Sequence, residues 1–298
     1  MRARRTMRGG ARPRGAPRPR EEPAEPLNAD LSAREIEESE RRSAPRAVVV
    51  HEAISREGED ELRRPTSALA WSGLAAGLSM GFSLVGEGLL RAHLPDETWR
   101  PVIAKLGYTL GFLIVVLGRQ QLFTENTLTP ILPLLARRDG RTLRNVLRLW
   151  AVVLAANLAG AALFAFVAAH TAVFRPDVKE AFSQIGAEAV DGGFATILLR
   201  GIFAGWLIAL MVWLLPFAES GRVGTIIVIT FFVGLGGFSH VIAGSVEVLY
   251  RVTSGDATWW DYAGRYLAPT LLGNVLGGVS LVAALNHAQV VSGGGEDV

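Results

Sequence analysis

The residues of this chain that could carry chemistry are few, and their placement is unusual. Thr124, Glu125, Asn126 and Thr127 follow Leu122-Phe123 inside an apolar run from about residue 102 to 136, with Pro130 and Pro133 close behind. His240 closes a second interruption, Gly234-Leu235-Gly236-Gly237-Phe238-Ser239-His240, in another apolar run. Backbone in hydrocarbon must satisfy its own hydrogen bonds, so a broken helix persists only where protein or a water-filled cavity surrounds it. Two such interruptions point to a polar solute passing near a membrane midplane. An ionisable group at that depth is functional by default, which singles out His240. Glu125 has two open readings. It either lines a pore or is a structural acid, held by Arg119, Arg200 or the backbone amides that open the next half-helix, where negative charge is favoured. Asn126 and Thr127 are expected to cap that half-helix. Asn274, in Gly273-Asn274-Val275-Leu276-Gly277-Gly278, is read as satisfying a backbone break rather than touching solute.

Other chemistry is excluded. The chain has no cysteine, hence no disulfide, thiolate metal site or cysteine nucleophile. Its five histidines are scattered without metal-ligand spacing, and neither a phosphate-cradling glycine loop nor a convergent Ser/His/Asp set appears. No enzyme activity, cofactor or metal is expected.

The elements that position these residues are membrane spans. Of 298 residues 50% are hydrophobic and 19% charged, with a mean hydropathy of +0.29, yet the distribution is sharply divided. Residues 1–64 are expected to be a disordered cytoplasmic tail, too polar to bury a core, with room for a short surface helix within 31–64. Residues 65–288 form the membrane domain, and 289–298 a polar cytoplasmic tail. Hydropathy predicts an all-α membrane protein with six transmembrane helices, near 67–90, 101–135, 149–169, 194–216, 223–250 and 266–285, the second and fifth broken. Each half then holds three spans with the broken one in the middle, the hydropathy form of an inverted repeat. The first span is rich in Gly, Ala and Ser, which lets helices approach closely. Glu87 near its far end is read as an interfacial acid. Six spans place both termini on one side. The eight arginines among the first 20 residues, and the basic loop Arg137 to Arg148, make that side the cytoplasm. The partners expected are membrane lipid and a small-molecule or ion solute, with no nucleic acid.

Several motifs, in order, resemble the formate/nitrite transporters. Gly107 to Thr124 is similar to the family's second span, which ends in Leu-Phe-Thr. Arg200-Gly201-Ile202 through Trp213 resembles its fourth span. Gly237-Phe238-Ser239-His240-Val241-Ile242-Ala243 resembles its Gly-Phe-Glu-His element, and Gly273-Asn274 its last-span motif. The match covers about residues 67–287, and Leu-Phe-Thr-Glu-Asn-Thr is nearest the YfdC-like branch. The resemblance implies an aquaporin-like protomer in a homopentamer of the inner membrane, with one pore per subunit. It implies a hydrophobic constriction at Phe123 with Tyr108 and Phe112, and Thr124 hydrogen-bonded to a central His240. A small monovalent anion, such as formate or nitrite, or its neutral acid, would pass. The sequence also departs from the family. Counted without gaps, the usual lysine before the fourth span is Ala189, beside Glu188, and Glu125 adds an acid at the first break. Glu125, Glu188 and Asn126 are therefore selectivity candidates. The alternative is the same fold passing a cation or small neutral solute.

Overall fold

The computed structural model describes residues 32–35 and 46–293. The arginine run of the N-terminus and residues 294–298 lie outside the described residues, as does any structure expected there. From residue 46 onward every regular element is helical, and no strand occurs among the described residues. The helices are α1 (Ala47–Arg63), α2 (Thr66–His93), α3 (Arg100–Leu117), α4 (Ile131–Arg137), α5 (Gly140–His170), α6 (Pro176–Ala189), α7 (Phe194–Leu214), α8 (Arg222–Leu235), α9 (Ala243–Ser254), α10 (Ala268–Leu276) and α11 (Leu285–Gly293). Two π-helical stretches, Asp261–Leu267 and Gly277–Ala284, join α10 to its neighbours in one rod. Five helices are long and apolar enough to cross a membrane: Thr66–His93, Arg100–Leu117, Gly140–His170, Phe194–Phe217 and Asp261–Ser292. Helices α8 and α9 have 14 and 12 residues. At 1.5 Å per residue each spans only about 20 Å, short of a core about 30 Å thick.

Local chemistry sets the boundaries. Proline suits the first turn of a helix, and Pro101 and Pro176 stand there in α3 and α6. Asp139 caps α5 by accepting from the N–H groups of Arg141 and Thr142, both at 2.9 Å. Helix α3 stops because Arg119 enters the left-handed region (φ 49°), and α8 stops because Gly237 does (φ 61°). The two endings share one pattern. Gly118 N–H bonds Ile114 C=O at 2.9 Å and Gln120 N–H bonds Val115 C=O at 3.0 Å. Gly236 N–H bonds Phe232 C=O at 2.9 Å and Phe238 N–H bonds Val233 C=O at 3.0 Å.

The short helix expected within residues 31–64 is present, but it is docked on the domain rather than part of a solvated tail. Residues 47–63 are a 17-residue helix with Val50, Ile54, Gly58 and Leu62 buried. Those positions fall four apart and make one apolar stripe, which the rest of the domain covers. Gly58 lies so close to the carbonyl of Thr129 that a Cβ there would overlap it. The polar C-terminal tail expected from residue 289 is likewise helical as far as Gly293.

Candidate functional site

The two interruptions meet. Thr124, in the turn after α3, places its Oγ1 2.8 Å from His240 Nε2, and both residues are buried. Ala243 N–H donates to His240 Nδ1 at 3.2 Å. Nδ1 is therefore the acceptor, Nε2 carries the proton, and that proton is donated to Thr124. The ring is further fixed by Phe112, edge-on at 4.9 Å between centroids, and Tyr108 packs on Phe112 at 5.4 Å with the rings tilted by 46°. Tyr266 donates its hydroxyl to the carbonyl of His240 at 2.9 Å. Phe123 is buried and packs on Trp150 at 5.8 Å, while Trp150 Nε1 donates to the carbonyl of Asn126.

Two asparagines hold the interruptions open. Asn274 Oδ1 accepts from Val241 N–H, and its Nδ2 donates to the carbonyls of Ser239 and Gly201, at 2.8–2.9 Å. Gly273 is buried beside it against Gly201. Asn157, on α5, does the same for the first interruption. Its Oδ1 accepts from Phe123 N–H, and its Nδ2 donates to the carbonyls of Gln121 and Gly73, at 2.7–2.9 Å. In each case the clamp spans one residue, Leu122 in the first and His240 in the second. Asn157 was not among the residues expected from sequence. Its signal was the shared pattern Asn157-Leu-Ala-Gly160 and Asn274-Val-Leu-Gly277, facing Gly73 and Gly201.

Cavities approach this junction from two sides. One, of about 740 Å³, is bordered by α1 and includes Glu57, Asp60, Glu61, Val116, Arg119, Gln121 and Glu125. The other, of about 200 Å³, includes Lys105, Tyr108, Glu188, Ser239, His240 and Glu247. Between them Phe112, Leu122, Phe123 and Thr124 are all at most 2% exposed. Tyr108 and Val116, which border opposite cavities, are eight residues apart on α3, so the partition is about 12 Å thick at 1.5 Å per residue.

The remaining candidates fall around these cavities, some not as expected. Glu125 borders the larger cavity, and its Oε1 has no hydrogen-bond partner among the described residues. Arg200 does not reach it, since Arg200 donates to the carbonyl of Asp191. Asn126 and Thr127 do not cap α4. Asn126 donates to Gln121 Oε1 at 3.1 Å, and Thr127 donates to the carbonyl of Thr124 at 2.7 Å. The Gln121 and Thr129 side chains in turn donate to Glu61 of α1, at 3.0 and 2.6 Å. Burial raises the Glu61 carboxyl above its ordinary range, and these two bonds only partly offset that. On the smaller cavity, Glu188 is not a free acid. Arg91 forks it at 2.6 and 2.7 Å, and though burial alone would raise its carboxyl, these bonds hold it below the usual range. Glu87 is buried rather than interfacial, between Arg91 at 2.7 Å and Lys105 at 2.6 Å. Lys105 of α3 lines the same cavity as Ala189, the position counted for the missing lysine.

A family model described as formate/nitrite transporter matches residues 48–288. The chain is 39% identical over 257 residues to the inner membrane protein YfdC of Escherichia coli (strain K12), covering 86% of this chain and 83% of that one. It is 29% identical over 243 residues to the formate channel BtFdhC of Bacillus thuringiensis, covering 78% and 91%. Among solved structures it is similar to a pentameric formate channel with formate bound, at a TM-score of 0.64 and 20% identity, covering 80% of this chain and 99% of that one.

Proposed function

The chain belongs to the formate/nitrite transporter family, and from that premise we propose that it is a channel passing a small monovalent weak acid, formate or nitrite in class, as the anion or its neutral form. The observation that carries this reading is the Thr124–His240 bond, set in an apolar partition between two polar cavities. The partition excludes bulk water and hydrated ions, and His240 is its one ionisable side chain. A neutral acid crosses without the desolvation cost of a bare ion, which is steep in an apolar medium.

In this reading the protomer has six spans in an aquaporin-like inverted repeat. The stretch from Arg100 to Arg137 makes the broken second span, and that from Arg222 to Ser254 the broken fifth. The paired asparagine clamps and the matched endings of α3 and α8 support the repeat. The basic loop after α4 supports a cytoplasmic position for the larger cavity and both termini, in an inner membrane. The kinship with a pentameric formate channel supports a homopentamer. Apolar side chains left exposed on a single chain, among them Leu163, Phe166, Leu199 and Phe203, suit lipid and neighbouring protomers.

One observation favours a second reading, in which the solute is a cation or small neutral molecule. Glu125 borders the larger cavity with Glu57, Asp60 and Glu61, four acids against the three arginines Arg64, Arg119 and Arg222. An ionised carboxylate 4 Å from a permeating anion costs about 4 kcal/mol at an effective dielectric of 20. Flux into proteoliposomes decides between the readings, with formate, nitrite and methylammonium at pH 5.5 and 7.5. Formate and nitrite flux that rises at the lower pH supports the weak-acid channel. Methylammonium flux without anion flux overturns it in favour of the second reading.

A further inference from the structure

Glu247 is a buried acid with no counter-ion among the described residues. It lies on α9, two turns beyond His240, is 8% exposed, and borders the smaller cavity with Lys105, Tyr108, Ser239 and His240. Among the described residues its carboxylate makes neither a hydrogen bond nor an ion pair. The charges around it are already matched to one another. Lys105 is on Glu87, Glu87 is on Arg91, and Arg91 is on Glu188, so two cations meet two anions. Tyr108 and Tyr266 add neutral phenols from α3 and the π-helical stretch before α10. Helix α5, which also packs on α9, has no titratable residue between Arg148 and His170. His240 contributes no proton on this side, because its Nε2–H is given to Thr124 and its Nδ1 accepts from Ala243.

An anion entering this cavity therefore meets either an uncompensated carboxylate, which repels it, or a carboxylic acid, which can donate to it. Only the second arrangement admits the solute class proposed above. Resting on that weak-acid reading, we infer that Glu247 is the proton-exchanging residue of the smaller cavity, protonating the anion before it reaches the partition. The O–H bond of Glu247 breaks as an O–H bond forms on the carboxylate or nitrite oxygen, with no change of oxidation state. The solute goes on as the neutral acid, and Glu247, left ionised near Lys105, takes its next proton from water at the cavity mouth. Nothing in the resemblance assigns this position, since the motif that matches ends at Ala243.

The test is formate uptake into proteoliposomes from pH 5 to 8, with co-entering protons followed by an internal pH dye, for the full-length protein and its Glu247→Gln and Glu247→Asp variants. Monodispersity and thermal midpoint verify that each variant is folded. For Glu247→Gln the expected result is roughly a tenfold loss of flux near neutral pH. Its flux should recover on acidification along the fraction of free formic acid, about tenfold per pH unit. Glu247→Asp should restore much of the neutral-pH flux. A folded Glu247→Gln protein with the wild-type rate and pH profile overturns the inference and leaves the channel reading standing. Equal loss in both variants at every pH also overturns it, in favour of a packing role. A wild-type protein that carries neither formate nor nitrite refutes the weak-acid reading itself.

Discussion

Truncating either clamp asparagine to alanine should destabilise the protein by a similar, calculable amount. Asn157 and Asn274 are both fully buried, and each makes three hydrogen bonds to backbone. The alanine variants leave one N–H and one carbonyl without partners in each case, Phe123 N–H and Gln121 C=O or Val241 N–H and Ser239 C=O, because the carbonyls of Gly73 and Gly201 keep their intrahelical bonds. An orphaned buried group costs about 1–3 kcal/mol in a soluble core, while polar contacts between membrane helices average nearer 0.6 kcal/mol. Taking about 1 kcal/mol for each of the two gives about 2 kcal/mol per variant, or roughly 4–8 °C in thermal midpoint for a chain of this size. The two sites share no partner, so the double variant should show the sum. Asparagine-to-aspartate changes should cost at least as much, because a carboxylate keeps the acceptor for the N–H but faces two carbonyls without a donor. Thermal unfolding in detergent, followed by tryptophan fluorescence, measures all of these. The reasoning is refuted if either alanine variant melts within 2 °C of wild type, or if either aspartate variant is tolerated.

Arg119→Gly should raise the thermal midpoint by a few degrees, because a non-glycine residue in the left-handed region costs roughly 1 kcal/mol; a lower midpoint contradicts this. Docking of α1 should weaken as pH rises. Glu61 has a raised carboxyl when docked, so the docked state binds a proton that the released state lacks. That contribution is complete below the ordinary carboxylate range and is lost as pH climbs through the raised value. Amide protection of Ala47–Arg63, corrected for intrinsic exchange, should fall as pH rises above the ordinary carboxylate range in wild type and stay level in Glu61→Gln. Phe112→Ala removes a buried ring of the partition, one that packs on both Tyr108 and His240, and should let protons leak across proteoliposomes; an unchanged leak rate contradicts the placement of the partition.

Much of the site was legible because the interruptions are chemically conspicuous. A polar tetrad and a glycine-rich turn inside apolar runs cannot be ordinary packing, and they led directly to Thr124, His240 and Asn274. What escaped depends on contacts distant in sequence. Asn157 looks like one polar residue in a small-residue helix until Gln121 and Phe123 are seen on either side of it. Lys105 belongs to α3, so a count backward from the fourth span could not find it, although it faces the same cavity as Glu188. Glu247 and Glu87 sit near helix ends where charge is ordinary in a sequence, and only burial sets them apart. Helix α1 has a polar composition with a single stripe of Val50, Ile54, Gly58 and Leu62. One narrow stripe among many charges is easily taken for a tail when the surface that covers it lies far along the chain.

The most direct test of the pathway uses the absence of native cysteine. Val116→Cys and Ser239→Cys place single thiols in the larger and smaller cavities, on opposite sides of the Thr124–His240 partition. Each is reconstituted in oriented vesicles and treated with a membrane-impermeant thiol reagent from one face, and formate flux is then measured. Modification of each thiol from one face only, opposite for the two, with loss of flux on modification, is the result this account predicts. Labelling of both from the same face, or labelling that leaves flux unchanged, would contradict it.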